Sequence, residues 1–140
     1  METVRDAMVP EPTTLVAGAS AQEAGLCLAD TDVRAIFVTE NDGRLLGVVT
    51  RKTLVREVVA AGLDPRTVTL RDVAEPPHFT LDAGLGLEDG FRFLEEEDLE
   101  RVPVVENGRL VGVLSRAVVQ RRLAEDDSAG EEPDADALVL

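Results

Sequence analysis

Asn107-Gly108-Arg109-Leu110-Val111-Gly112-Val113-Leu114-Ser115 is the stretch whose reading decides the fold. Asn-Gly tolerates the two positive φ angles of a type I′ turn, so the dipeptide marks the tip of a two-residue hairpin. The apolar segments on either side, Arg101–Val105 and Leu110–Leu114, are then its strands. Nearly the same words stand earlier, as Asp42-Gly43-Arg44-Leu45-Leu46-Gly47-Val48-Val49-Thr50, with an offset of 65 residues. Upstream, Thr3-Val4-Arg5-Asp6 returns as Thr69-Leu70-Arg71-Asp72 at an offset of 66. One residue therefore separates the two copies somewhere between. Two units this long are too few for a solenoid and read as a duplicated subdomain.

Each unit carries the same order of elements. An extended segment (Thr13–Val16; His78–Leu81) precedes a helix (Ala21–Ala29; Leu87–Glu96). A strand (Ala35–Thr39; Arg101–Val105), a tight turn, a second strand (Leu45–Val49; Leu110–Leu114) and a closing helix (Lys52–Ala61; Ala117–Leu123) follow. In the first unit Asp42-Gly43 makes the turn with one more residue ahead of it. Ser20 and Glu23 fit a capping box. Thr50 and Ser115 stand where a strand gives way to a helix and suit the N-cap. Gly62 suits the C′ position of the first closing helix. A unit of this length buries only about 60% of its unfolded surface. The apolar stripes Leu54, Val55, Val58, Val59 and Val118, Val119, Leu123 favour packing of the halves about a pseudo-twofold axis, with dimerisation through what is left over. The predicted class is α/β (α+β), two βαββα subdomains. Their expected bounds are 1–66 and 67–124, followed by a flexible acidic tail over 125–140.

The composition narrows the functions available. Acids outnumber bases 28 to 14, giving a net charge of −14. Glu125 to Leu140 contains acids and no base. A polyanion such as DNA is repelled, and nucleic-acid binding is set aside. No apolar run reaches the roughly 18–20 residues of a membrane span. The start of the chain lacks a basic-then-apolar leader, and the lone Cys27 has no internal partner, so a cytoplasmic location is expected. His78 is the only histidine, which removes Ser-His catalysis and multi-histidine metal sites. No nucleophile, base and orienting group come together, so neither catalytic residues nor a metal site are expected.

The duplicated βαββα unit resembles the cystathionine-β-synthase-type (CBS) domain family. The residues that carry the likeness are Val102-Pro103-Val104-Val105 with Asn107 to Ser115, Ala35 to Val38 with Gly43 to Thr50, and the leading Val4-Arg5-Asp6-Ala7-Met8 with its echo Leu70-Arg71-Asp72-Val73. The resemblance implies a regulatory pair with two clefts between its sheets that take adenosine compounds such as AMP, ATP or S-adenosylmethionine. It also implies a ligand motif, Gly-apolar-x-Thr/Ser-x-x-Asp, whose hydroxyl approaches a phosphate and whose acid holds the ribose. Here the motif reads Gly47-Val48-Val49-Thr50-Arg51-Lys52-Thr53 and Gly112-Val113-Leu114-Ser115-Arg116-Ala117-Val118. Both copies keep the glycine and the hydroxyl and lack the acid. Losing a charged hydrogen bond weakens a ribose contact by about 10–100-fold. The candidate ligand residues are Thr50, Arg51, Lys52 and Thr53 in the first copy, and Ser115 and Arg116 in the second. The expected function is a stand-alone homodimeric sensor of an adenosine-type nucleotide, signalling to a protein partner in trans. The alternative is a dimerisation or protein-interaction module with degenerate ligand sites.

Overall fold

The computed structural model describes residues 2–10 and 12–130, with the side chains of 126–130 left aside. In chain order the elements are α1 (Val4–Ala7), β1 (Val9–Pro10), β2 (Thr14–Val16), α2 (Ala21–Leu28), β3 (Ile36–Thr39), β4 (Leu45–Val49) and α3 (Arg51–Leu54). There follow α4 (Leu70–Val73), β5 (Leu81–Asp82), α5 (Leu87–Glu96), β6 (Arg101–Glu106), β7 (Arg109–Ser115) and α6 (Arg116–Gly130). Two sheets form, β2-β3-β4 and β1-β7-β6-β5. In each, a short strand runs parallel to the first strand of a hairpin: Leu15 lies opposite Val38, and Leu81 opposite Val104.

The hairpins differ at their tips, which locates the residue that separates the copies. Asn107 and Gly108 both have positive φ, 53° and 80°, as a type I′ turn requires. In the first unit Gly43 alone does so, at 92°, closing a tip one residue longer. The tips also bond to each other, Leu45 N–H to the Gly108 carbonyl and Leu110 N–H to that of Gly43, each at 3.1 Å.

Each half is completed by a turn from the other. Val4 and Ala7 of α1 are buried with Leu81, Leu87, Leu94, Val102 and Leu114 of the second unit. Leu70 and Val73 of α4 are buried with Ala24, Leu28, Ile36, Val38 and Val49 of the first. The backbone repeats the exchange. Val4 and Arg5 donate to the carbonyls of Leu85 and Ala83, while Leu70 and Arg71 donate to those of Ala19 and Ala17. Matching ion pairs staple both turns, Arg5 with Glu106 and Arg71 with Glu40. The two bonds from Arg71, 2.5 and 3.0 Å, hold the Glu40 carboxyl below its ordinary pKa.

Just beyond each turn the chain crosses a hairpin strand at a glycine. A Cβ on Gly47 would stand 2.6 Å from the Glu75 carbonyl oxygen, and one on Gly112 would stand 2.6 Å from the Met8 sulfur. The glycine of each repeated motif is thus required by the crossing segment.

Two expected elements differ. The first closing helix makes one α-turn, then widens into a π-helical segment over Val55–Val59 and stops at Gly62, whose φ is 72°. Leu54 and Val58 point inward, whereas Val55 and Val59 are 56% and 71% exposed. The second closing helix passes Leu123 and runs to Gly130, because no glycine or proline interrupts Ala124 to Ala129. The acidic tail expected from residue 125 is therefore helical at its start, and residues 131–140 lie outside the described part. Among the described residues no helix is long and apolar enough to cross a membrane.

Two outcomes are expected. Leu70→Ala removes a side chain that fills the other half's core and should cost about 2–5 kcal/mol in chemical denaturation. The loss should come in a single transition for the whole chain, and two separated transitions would refute reciprocal packing. Gly47→Ala should cost about 1–3 kcal/mol by overpacking against backbone. A Gly18→Ala control meets open space and should not.

Candidate functional site

The crossed halves enclose two neighbouring clefts related by the pseudo-twofold axis. The larger, about 460 Å³, lies at the end of β7. Val33, Ala35 and Phe37 form one wall, and Pro103, Val113 and Val118 the other. Val9 of the crossing β1 strand also lines it, and the hydroxyl residues Thr13 and Ser115 face in. Arg34, Arg101 and Asp32 stand exposed at its mouth. The smaller cleft, about 200 Å³, is lined by Glu75, Pro77, His78 and Phe79, and shares Val48, Arg101 and Pro103 with its neighbour.

Thr50 and Thr53 come together, though not in a cleft. Thr50 caps α3: its Oγ1 accepts from Thr53 N–H at 3.3 Å, and its own N–H donates to Thr53 Oγ1 at 3.1 Å. Thr53 is fully buried, and its hydroxyl donates onward to Glu75 Oε2 at 3.4 Å. Glu75 in turn pairs with Arg56. A buried hydroxyl must find partners, and this network supplies them.

Arg51 turns away from the clefts. Its Nη2 donates to the carbonyls of Leu28 and Asp30 at 2.6 and 2.9 Å, closing the C-terminal end of α2, where a cation also complements the helix dipole. Arg116 does the same for α5, with Nη2 on the Leu94 carbonyl at 3.3 Å and Nη1 near Asp98 and Glu100. Lys52 is exposed and lines neither cleft.

Ser115 is the one expected residue that lines a cleft. Its hydroxyl makes no hydrogen bond among the described residues, so it is no helix cap, and it faces the larger cavity. The residues missed in the sequence are Thr13, Arg34 and Arg101. Arg34 and Arg101 make no side-chain hydrogen bond or ion pair among the described residues. Nothing local in the sequence marks them, because Asp32 beside Arg34 is as good a nominal partner as those the other arginines find. Among the described residues no group of three or more His, Cys, Asp or Glu side chains is placed to hold a metal ion.

Comparison with known proteins places the architecture. The CBS domain model matches residues 4–60 and again 70–125. Hypoxic response protein 1 of Mycobacterium tuberculosis strain H37Rv is 32% identical over 125 residues, covering 89% of this chain and 87% of that one. A crystal structure of Hypoxic Response Protein I, with two coordinated zinc ions, superposes with a TM-score of 0.74 at 31% identity, over 87% of this chain and 99% of the other. A crystal structure of CBSX2 in complex with AMP does so with a TM-score of 0.72 at 25% identity, over 91% and 99%. With both halves matched and the pair of crossed subdomains in place, the chain belongs to the CBS domain family.

Proposed function

We propose that the chain is a regulatory CBS pair that takes an adenosine-type nucleotide in the cleft beside Ser115 and signals to a protein partner in trans. The observation that carries this reading is the cavity itself. It has flat apolar walls from both halves, a hydroxyl with no partner of its own and two cations at the mouth, in a fold whose relative CBSX2 was solved with AMP. Such a site suits a base between apolar surfaces and a phosphate at the rim. AMP, ATP and S-adenosylmethionine are the candidate ligands. Thr50, Arg51, Thr53 and Arg116 support the site from behind, by capping and by fixing the helices, and Lys52 takes no part. The reading is a binding function without chemistry.

The second reading, an interaction module with decayed ligand sites, is favoured by one specific observation. Val118 lines the cleft where the family motif carries the ribose-holding acid. A thermal-shift panel of AMP, ADP, ATP, S-adenosylmethionine and NAD separates the two. A ligand at a hundred times its Kd adds about 2.7 kcal/mol of stability, a rise of several degrees in melting temperature. The nucleotide reading expects that rise from at least one adenosine compound. No shift from any of them at millimolar concentration leaves the interaction reading.

Both readings include a homodimer. Leu26 and Val59, each 71% exposed, and Val55 and Leu63 form an apolar face beside a groove of about 320 Å³ without a charged residue in its lining. The corresponding positions of the second half are Arg92, Gln120, Ala124 and Ser128. The apolar character is therefore confined to one half. Two copies joined about a twofold axis would bury like against like and keep their acidic surfaces apart. Light scattering after size exclusion should give a dimer, and Val59→Lys should give a monomer with an unchanged circular dichroism spectrum. A wild-type monomer would overturn this assignment.

A further inference from the structure

The two clefts occupy equivalent places and are built to opposite chemistries. Where β1 crosses the larger cleft it presents Val9, paired in register with Val113. The second crossing segment makes the matching contact at Glu75, whose N–H and carbonyl bond Val48 at 2.9 and 2.8 Å. One cleft thus receives an apolar side chain and the other a carboxylate. The carboxylate is not idle: it accepts from the Thr53 hydroxyl and pairs with Arg56. Thr53 and Val118 are themselves equivalent positions of the two motif copies: Val9 and Val118 line the larger cleft, whereas Glu75 lines the smaller and Thr53 is buried behind it, bonded to that carboxylate. The cleft with the carboxylate has less than half the volume of its twin.

The cations lean the other way: Arg101 stands between the clefts and lines both, and Arg34 lines the larger alone. In a chain of net charge −14, most arginines are held by an acid or a carbonyl. Arg34 and Arg101 are exposed, lack such partners among the described residues and line the same mouth, one from each half. Two arginines against the single acid Asp32 leave the mouth net positive in an otherwise acidic chain, and such a site attracts an anion. A phosphate there would be held by both guanidinium groups, which present donors in a geometry matched to its oxygens.

We infer that the chain takes one anionic ligand, recognised by Arg34 and Arg101 at the larger cleft, while its own Glu75 carboxylate turns anions away from the smaller one. This rests on the nucleotide reading for the body of the ligand and adds to it the number of sites and the selection by charge.

Isothermal titration of the full chain with AMP, adenosine and pyrophosphate tests it. AMP should saturate at one equivalent per chain, and adenosine should bind about 10–100-fold more weakly. Arg34→Ala and Arg101→Ala, both at exposed positions, should each move AMP toward the adenosine value. Val9→Glu, which copies the carboxylate into the larger cleft, should abolish AMP binding. Two equivalents of AMP, or equal binding of AMP and adenosine with silent arginine variants, overturns the inference and leaves the nucleotide reading intact. Pyrophosphate binding that the arginine variants lose, with no adenosine compound bound, upholds recognition by charge and removes the nucleotide reading. No binding of any probe overturns both.

Discussion

The reciprocal burial of two short turns is the constraint on which the rest of this molecule depends. Val4 and Ala7 complete a core that is otherwise made by residues beyond 80, and Leu70 and Val73 complete one made by residues before 60. Without them each half would expose a cavity the size of two apolar side chains, a loss comparable to the whole margin by which small domains stay folded. The exchange also explains features with no meaning inside one half. It accounts for the glycines at 47 and 112, the twin ion pairs to Glu40 and Glu106, and the strand β1 added to the edge of the second sheet. The clefts exist because the crossing segments pass between the halves and form part of their walls.

Function follows from how the two copies have diverged within that frame. Their elements follow the same order apart from the closing helices, and several of their differences lie at positions the frame leaves open. Glu75 against Val9, and the apolar face at Leu26 and Val59 against Arg92 and Ala124, are substitutions at cleft walls or surfaces, and Thr53 against Val118 sets a buried hydroxyl against a cleft wall. The arginines after the motif hydroxyls are the instructive contrast. Arg51 and Arg116 have kept one shared job, closing the ends of α2 and α5, and that job draws them away from the ligand space.

Much of the fold was legible in the sequence because it is written in local chemistry. Asn107-Gly108 specifies its turn, Ser20 and Glu23 form the capping box they spell, and the apolar runs flanking the turns give β3, β4, β6 and β7 within a residue or two. The exchange was not legible. Val4-Arg5-Asp6-Ala7 and Leu70-Arg71-Asp72-Val73 are so alike that nothing in either says which core it enters. The site was legible only at Ser115. Whether Thr50 or Ser115 spends its hydroxyl on a helix, where an arginine's long side chain goes, and which cations are left unpaired are decided by partners distant in the chain. A motif quoted along one strand cannot carry them.

The crossed turns also bear on how this chain acquires its shape as it is made. Ribosomal synthesis releases the first core's last contributor, Val73, soon after the bulk of that core, so the amino-terminal half can close early. The opening turn has no such fortune: Val4 must wait, apolar and uncovered, until Leu114 and Val119 emerge. For most of translation the nascent chain holds out a hook whose eye has not yet been built.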